Sequence, residues 1–200
     1  MYRLIICLML GIIALPAYSQ EDDEGTDPLT EASMAMRQRQ FLKAENIYRA
    51  MLVRHPDDVT VKQLLTHALI NQNKFRDADS MLRRMVAEDT SNAGNYWYCG
   101  LSAERQLRDS LAITCFLTYI RKTTVQDQRN INAWLHAGSG YRRMMHVRGI
   151  TADQLEKMIF YYEQYLILAE TDPYAEDLRL FIAEVKTRRP AAGELLVWAE

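Results

Sequence analysis

Proline and glycine are scarce, at five and eight in 200 residues. A chain with so few breakers and so few free hinges holds long regular elements. Beyond Pro16 the prolines stand at joints: Pro28, Pro56, Pro173 and Pro190. Cysteine is rarer still, three in all, which excludes a small disulfide-stapled scaffold. Neither sign of charge prevails: 24 Lys and Arg stand against 26 Asp and Glu, for a net −2. That balance gives no overall pull toward nucleic acid or acidic lipid. A Gly-rich phosphate loop, an HExxH pair and a Gly-x-Ser-x-Gly elbow are all missing. Of His55, His67, His136 and His146, no two stand three or four apart. No metal or cofactor site is therefore expected, and the chain is not read as an enzyme. Its acids cluster only at Asp22, Asp23 and Glu24, in a polar stretch where no pocket would tune them. What the chain does have is 48% apolar residues, enough to build one core.

Those apolar residues are arranged in a repeat. Phe41, Ala44, Tyr48 and Met51 are spaced 3, 4 and 3, which puts them on one helix face. Adding 34 to each gives Phe75, Ala78, Leu82 and Met85; adding 34 again gives Asp109, Ala112, Phe116 and Tyr119. The half-unit before each helix repeats too: Ala32 and Ala35 map onto Thr66 and Leu69, then onto Gly100 and Ala103. A fourth copy, Trp134, Ala137, Gly138 and Tyr141, follows after 38 residues. A helix–turn–helix unit of 34 residues with small residues at the crossing resembles the tetratricopeptide repeat. Trp134, Gly138 and Tyr141 match that family's first helix, and Phe41, Ala44, Tyr48 and Pro56 its second. The pattern departs at Thr90, where a proline is usual, and at Met51 and Met85, which replace a small residue. The resemblance covers roughly residues 25–170 and implies an all-α right-handed superhelix.

In chain order, residues 1–20 have the layout of a secretory leader. Arg3 precedes an apolar run over 4–15, with Pro16 and a small-residue cleavage site ending at Ser19 or Gln20. The run is shorter than the roughly 20 residues of a membrane span, so cleavage is preferred to a retained anchor. A periplasmic or secreted location follows, with no stable membrane insertion after cleavage. Residues 21–27 form an acidic flexible lead-in. Repeat units are expected at about 25–58, 59–92, 93–130 and 131–172, within a domain over 28–188. Their helices are placed at 28–39, 41–55, 59–72, 75–88, 92–106 and 109–122. Unit four carries an insertion around 144–153, read as an elongated hairpin, with the capping box Thr151-x-x-Gln154 opening its second helix. Tyr174, Leu178, Phe181, Ile182 and Val185 make one apolar stripe, the mark of a capping helix at 173–188. The tail, 189–200, ends in Leu195-Leu196-Val197-Trp198 and is expected to fold back rather than leave an apolar end in water.

Function is read from the resemblance. In that family the first helices line a groove that grips a protein or peptide. By register the groove here takes Arg37, then His67 and Asn71, then Trp97, Leu101 and Arg105, then Ser139, Arg142 and Arg143. The four arginines form one stripe, suited to an acidic or C-terminal segment with an apolar anchor, unless they pair with acids such as Glu104. The leading reading is an exported scaffold binding a protein partner; the alternative is a structural subunit of a larger envelope or secretion assembly. By the same register Cys99 and Cys115 face each other across unit three, either as a disulfide or as two buried thiols, the form the sequence favours.

Overall fold

A computed structural model describes residues 27–198; the leader and nearly all of the acidic lead-in lie outside that range. Nine α-helices follow one another in it: α1 (Pro28–Arg37), α2 (Phe41–Arg54), α3 (Val59–Asn71), α4 (Phe75–Glu88), α5 (Ala93–Arg105), α6 (Asp109–Lys122), α7 (Gln128–Arg148), α8 (Ala152–Leu168) and α9 (Ala175–Lys186). The protein is an all-α helical repeat solenoid. Consecutive helices pack as antiparallel hairpins, and α3 lies directly on α5.

Local chemistry sets the starts. The side chains of Asp27, Asp58, Asp127 and Thr151 each accept the backbone N–H three residues on, and Thr151 and Gln154 complete a capping box. Asn92 begins α5 without capping it, because its side-chain oxygen accepts from Gln63 Nε2 at 3.2 Å across the unit boundary.

The first three units turn alike. Arg39, Asn73 and Leu107 have φ near +59°, +59° and +56°, each two residues past the end of a first helix. In each turn the N–H after that residue reaches back to a carbonyl in the last helical turn: Gln40 to Ala35, Lys74 to Leu69, Arg108 to Ala103. Only one of the three residues is the Asn that tolerates this conformation well. Of the other two, Leu107 is held in it by what surrounds its turn.

That surrounding is a latch repeated at the 34-residue period. Glu45 of α2 accepts from Gln72 Nε2 at 2.8 Å and Lys74 Nζ at 2.6 Å, on either side of the next unit's turn. One unit later Asp79 of α4 accepts from Gln106 Nε2 at 3.3 Å and from an Arg108 guanidinium nitrogen at 3.0 Å. Burial pushes the Glu45 carboxyl up, but hydrogen bonds from Lys74, Gln72 and Arg49 outweigh it and hold it below the usual range.

Unit four lacks both halves of the latch. The acid position is Ile113 and, at unit four's 38-residue spacing, the Gln position is Met144, both buried in one apolar cluster. With no acid and no amide there, nothing holds a turn open, and α7 runs on to Arg148. It ends at Gly149, with φ +80° and the tail's Leu195 and Val197 packed against it.

The core is a line of small and large residues at the crossings. Ala44, Ala78 and Ala112 are buried, as are Tyr48, Leu82 and Phe116 one helical turn on. Gly100 and Gly138 let α5 and α7 approach their partners: a Cβ there would meet the Phe116 or Tyr162 ring within 2.7 Å. Leu178, Ile182 and Val185 of α9 close the stack. Tyr174, expected in that stripe, instead precedes α9 and is exposed, because the Asp172 carboxylate accepts its backbone N–H and delays the helix by one residue. The tail folds back: Ile150 and Leu196 exchange two backbone hydrogen bonds, and Trp198 sets its ring against Phe181.

Candidate functional site

The first helices touch through side chains along one side of the stack, while open seams separate the second helices on the other. Gln63 donates to Asn95 at 3.0 Å and an Arg105 guanidinium nitrogen to Asn71 at 3.3 Å; His67 lies 5.7 Å from the Tyr98 ring. Between α5 and α7, Glu104 meets His136 and Arg143, each at 2.9 Å. A stack tighter on one side than the other curves toward the tight side, so the first helices line the inner face.

On that face the residues singled out in the sequence separate into distinct groups. Arg37 stands exposed at the end of α1. His67, Asn71 and Arg105 come together across α3 and α5. Burial first, then Arg129 and Arg105, hold the His67 imidazole below its ordinary range. Arg129, missed in the sequence because it begins a helix outside the repeat register, lies over Tyr98 at 5.8 Å. Leu101 is half-buried between two parts of the core.

Two of the nine positions are corrected. Trp97 is 8% exposed, enclosed by Phe116, Tyr119 and His136 with ring centroids 5.5 to 5.7 Å away. Its register position faces α7 rather than the open groove, so it is a core residue. Arg143 is held at 2.7 Å by Asp109 and 2.9 Å by Glu104. Burial raises the Glu104 carboxyl, and His136 and Arg143 more than reverse that. Arg143 therefore joins units three and four.

Ser139 and Arg142 do line an open feature. With Leu135, Tyr162, Leu178 and Phe181 they border a groove of about 390 Å³ between α7, α8 and α9. The Arg142 guanidinium lies over Phe181, 4.0 Å from its centroid, and the residue is exposed. Among the described residues no carboxylate lies within 4.0 Å of Arg105, Arg129 or Arg142. Asp177 is the one acid on the groove's border.

Cys99 and Cys115 are joined in the structure, Cα atoms 5.9 Å apart, tying α5 to α6. No group of three or more His, Cys, Asp or Glu able to hold a metal occurs among the described residues. No helix among them is long and apolar enough to cross a membrane.

No curated protein matches the chain. The family described as Tetratricopeptide repeat matches residues 35–98, from the end of α1 to the middle of α5. The same hairpins continue in register through α6 and, with a longer first helix, through α7 and α8: residues 35–98 are similar to tetratricopeptide repeats, which generally mediate protein–protein interaction, and the helices beyond them repeat that architecture.

Proposed function

We propose that this protein is an exported adaptor whose inner face grips an acidic peptide segment of a protein partner. The observation that carries the reading is a set of cations with no carboxylate within 4.0 Å among the described residues, Arg105 and Arg129 near His67 and Arg142 on the border of an apolar groove, in a chain of net charge −2. A guanidinium with a free edge takes a carboxylate with two hydrogen bonds, and the groove walls of Leu135, Leu178 and Phe181 receive an apolar anchor. Two features favour export: the leader-like layout of residues 1–20, and a cysteine pair placed for the disulfide that oxidising compartments maintain.

The test uses the chain from residue 21 onward and a fluorescein-labelled peptide of glutamates flanking one leucine, read by anisotropy. Arg105→Glu and Arg142→Glu are each expected to weaken binding at least about tenfold, with unchanged melting curves. Equal binding of a lysine-flanked peptide, or unchanged affinity in both variants, would sink the reading. Trp97→Ala is unsuitable as a binding variant, since it empties part of the core.

A further inference from the structure

The outer face carries seams between successive second helices, each floored by the first helix of the later unit. Two positions recur in register, one on that first helix and one on the second helix it pairs with. They are Leu69 and Met81 under the α2/α4 seam, Ala103 and Cys115 under the α4/α6 seam, and Tyr141 and Tyr161 under the α6/α8 seam. The tyrosines stack on one another, centroids 6.1 Å apart. Cys115, which lines the middle seam, is smaller than Met81 or Tyr161 at its register position, and that seam is an open groove of about 560 Å³.

Its walls are Leu82 and Val86 on α4 and Leu111 and Thr114 on α6, over a floor containing the Cys99–Cys115 pair. The α2/α4 seam, of about 420 Å³, is bordered by Lys62, Glu88, Asp77, Arg49 and Arg84, so both signs of charge meet there and Lys62 pairs with Glu88. The middle seam is bordered by Arg83 and by the Arg108–Asp79 pair, with Lys122 near one end. Arg83 and Lys122 have no carboxylate within 4.0 Å among the described residues, and Lys122 stands 5.5 Å over the Tyr96 ring at one end. Arg108 is neutralised by Asp79.

We propose that the α4/α6 seam docks an amphipathic helix of a partner protein, distinct from the segment held on the inner face. The helix places one large apolar or aromatic side chain over Cys99 and Cys115, where unit four has its own tyrosines. Carboxylates flanking that anchor face Arg83 and Lys122. The shape argues for a helix: two helical walls with an apolar floor form the kind of trough that takes a third helix. The border charge argues for acidic flanks.

The probe is a stapled helical peptide of about three turns, with Phe and Leu one turn apart and Glu on the flanks. It is added to the oxidised chain from residue 21 onward and followed by anisotropy. Thr114→Glu and Arg83→Glu, both at exposed positions, are expected to weaken binding at least about tenfold without moving the melting temperature, while Arg142→Glu leaves it unchanged. Absence of saturable binding, or binding indifferent to Thr114→Glu, overturns the proposal. Loss of binding in Arg142→Glu alone overturns it too, by placing the peptide on the inner face. Sedimentation gives a further check: a dimer that Thr114→Glu dissolves would make the seam a contact between copies of this chain, against the proposal.

Discussion

Units two and four solve the same packing problem by different means. Unit two is joined to its neighbours by polar latches at a fixed period: Glu45 reaches across to Gln72 and Lys74, and Asp79 to Gln106 and Arg108. The latch lies beside a left-handed residue and fixes where the first helix stops. Unit four has Ile113 and Met144 in those places, and its first helix overruns the turn. It then needs other fastenings: the Arg143–Asp109–Glu104 cluster on one side, and α9 with the folded-back tail on the other. A regular repeat is held unit by unit. An irregular one is held from its ends.

That contrast predicts that unit four depends on its cap more than unit two depends on any one latch. Phe181 packs edge-on against Tyr162, supports Arg142 and receives Trp198. Phe181→Asp removes these contacts and places a carboxylate among them, at a cost of about 3 kcal/mol or more. Hydrogen exchange should show α7–α9 losing protection while α3–α5 keep theirs. Equal loss in both regions would show that the stack melts as one body and that the contrast has no energetic content.

A smaller effect is expected at the latches. Glu45→Ala leaves the Gln72 and Lys74 donors facing a small void beside water, at about 1–2 kcal/mol. Asp79→Ala removes the second latch at a similar cost. The two latches are alike by register, so chemical denaturation should give similar losses that add. Strong non-additivity would mean the latches share a cooperative unit and are not independent clips.

The sequence carried the repeat almost completely, because small-against-large packing at helix crossings is written in local spacing. Ala44, Ala78 and Ala112 announce the period, and the helix ends fall within two residues of their expected places for α1–α6. The site was only partly legible. Register gives the direction of a side chain relative to its own helix, so Ser139 and Arg142 were placed on the groove border. It does not give the neighbour across the gap. Trp97 points toward the partner side, and there α7 covers it; Arg143 points the same way and meets Asp109, which replaces the Phe of the earlier units. A signal for Arg143 did exist: an acid at 109 where 41 and 75 are Phe, and a base 34 residues after it. Arg129 had none, since the connection before α7 breaks the period.

The smallest expected effect compares the two regions by pH. His67 of unit two has an imidazole held below its ordinary value of 6.5, by burial and then by Arg129 and Arg105. A lowered folded value means that the unfolded chain binds the proton more readily. Stability is therefore fully present above the ordinary value and declines as pH falls from it toward the folded one. Glu45 and Glu104 are also lowered, so their contribution is present above the usual carboxylate range and is lost only at more acidic pH, as each protonates. The melting temperature should thus fall in two stages on acidification, a shallow one starting near pH 6.5 and a steeper one below about 4.5. In His67→Asn the shallow stage should vanish while the steep one remains. If the shallow stage survives that change, the assignment of that stage to His67 fails.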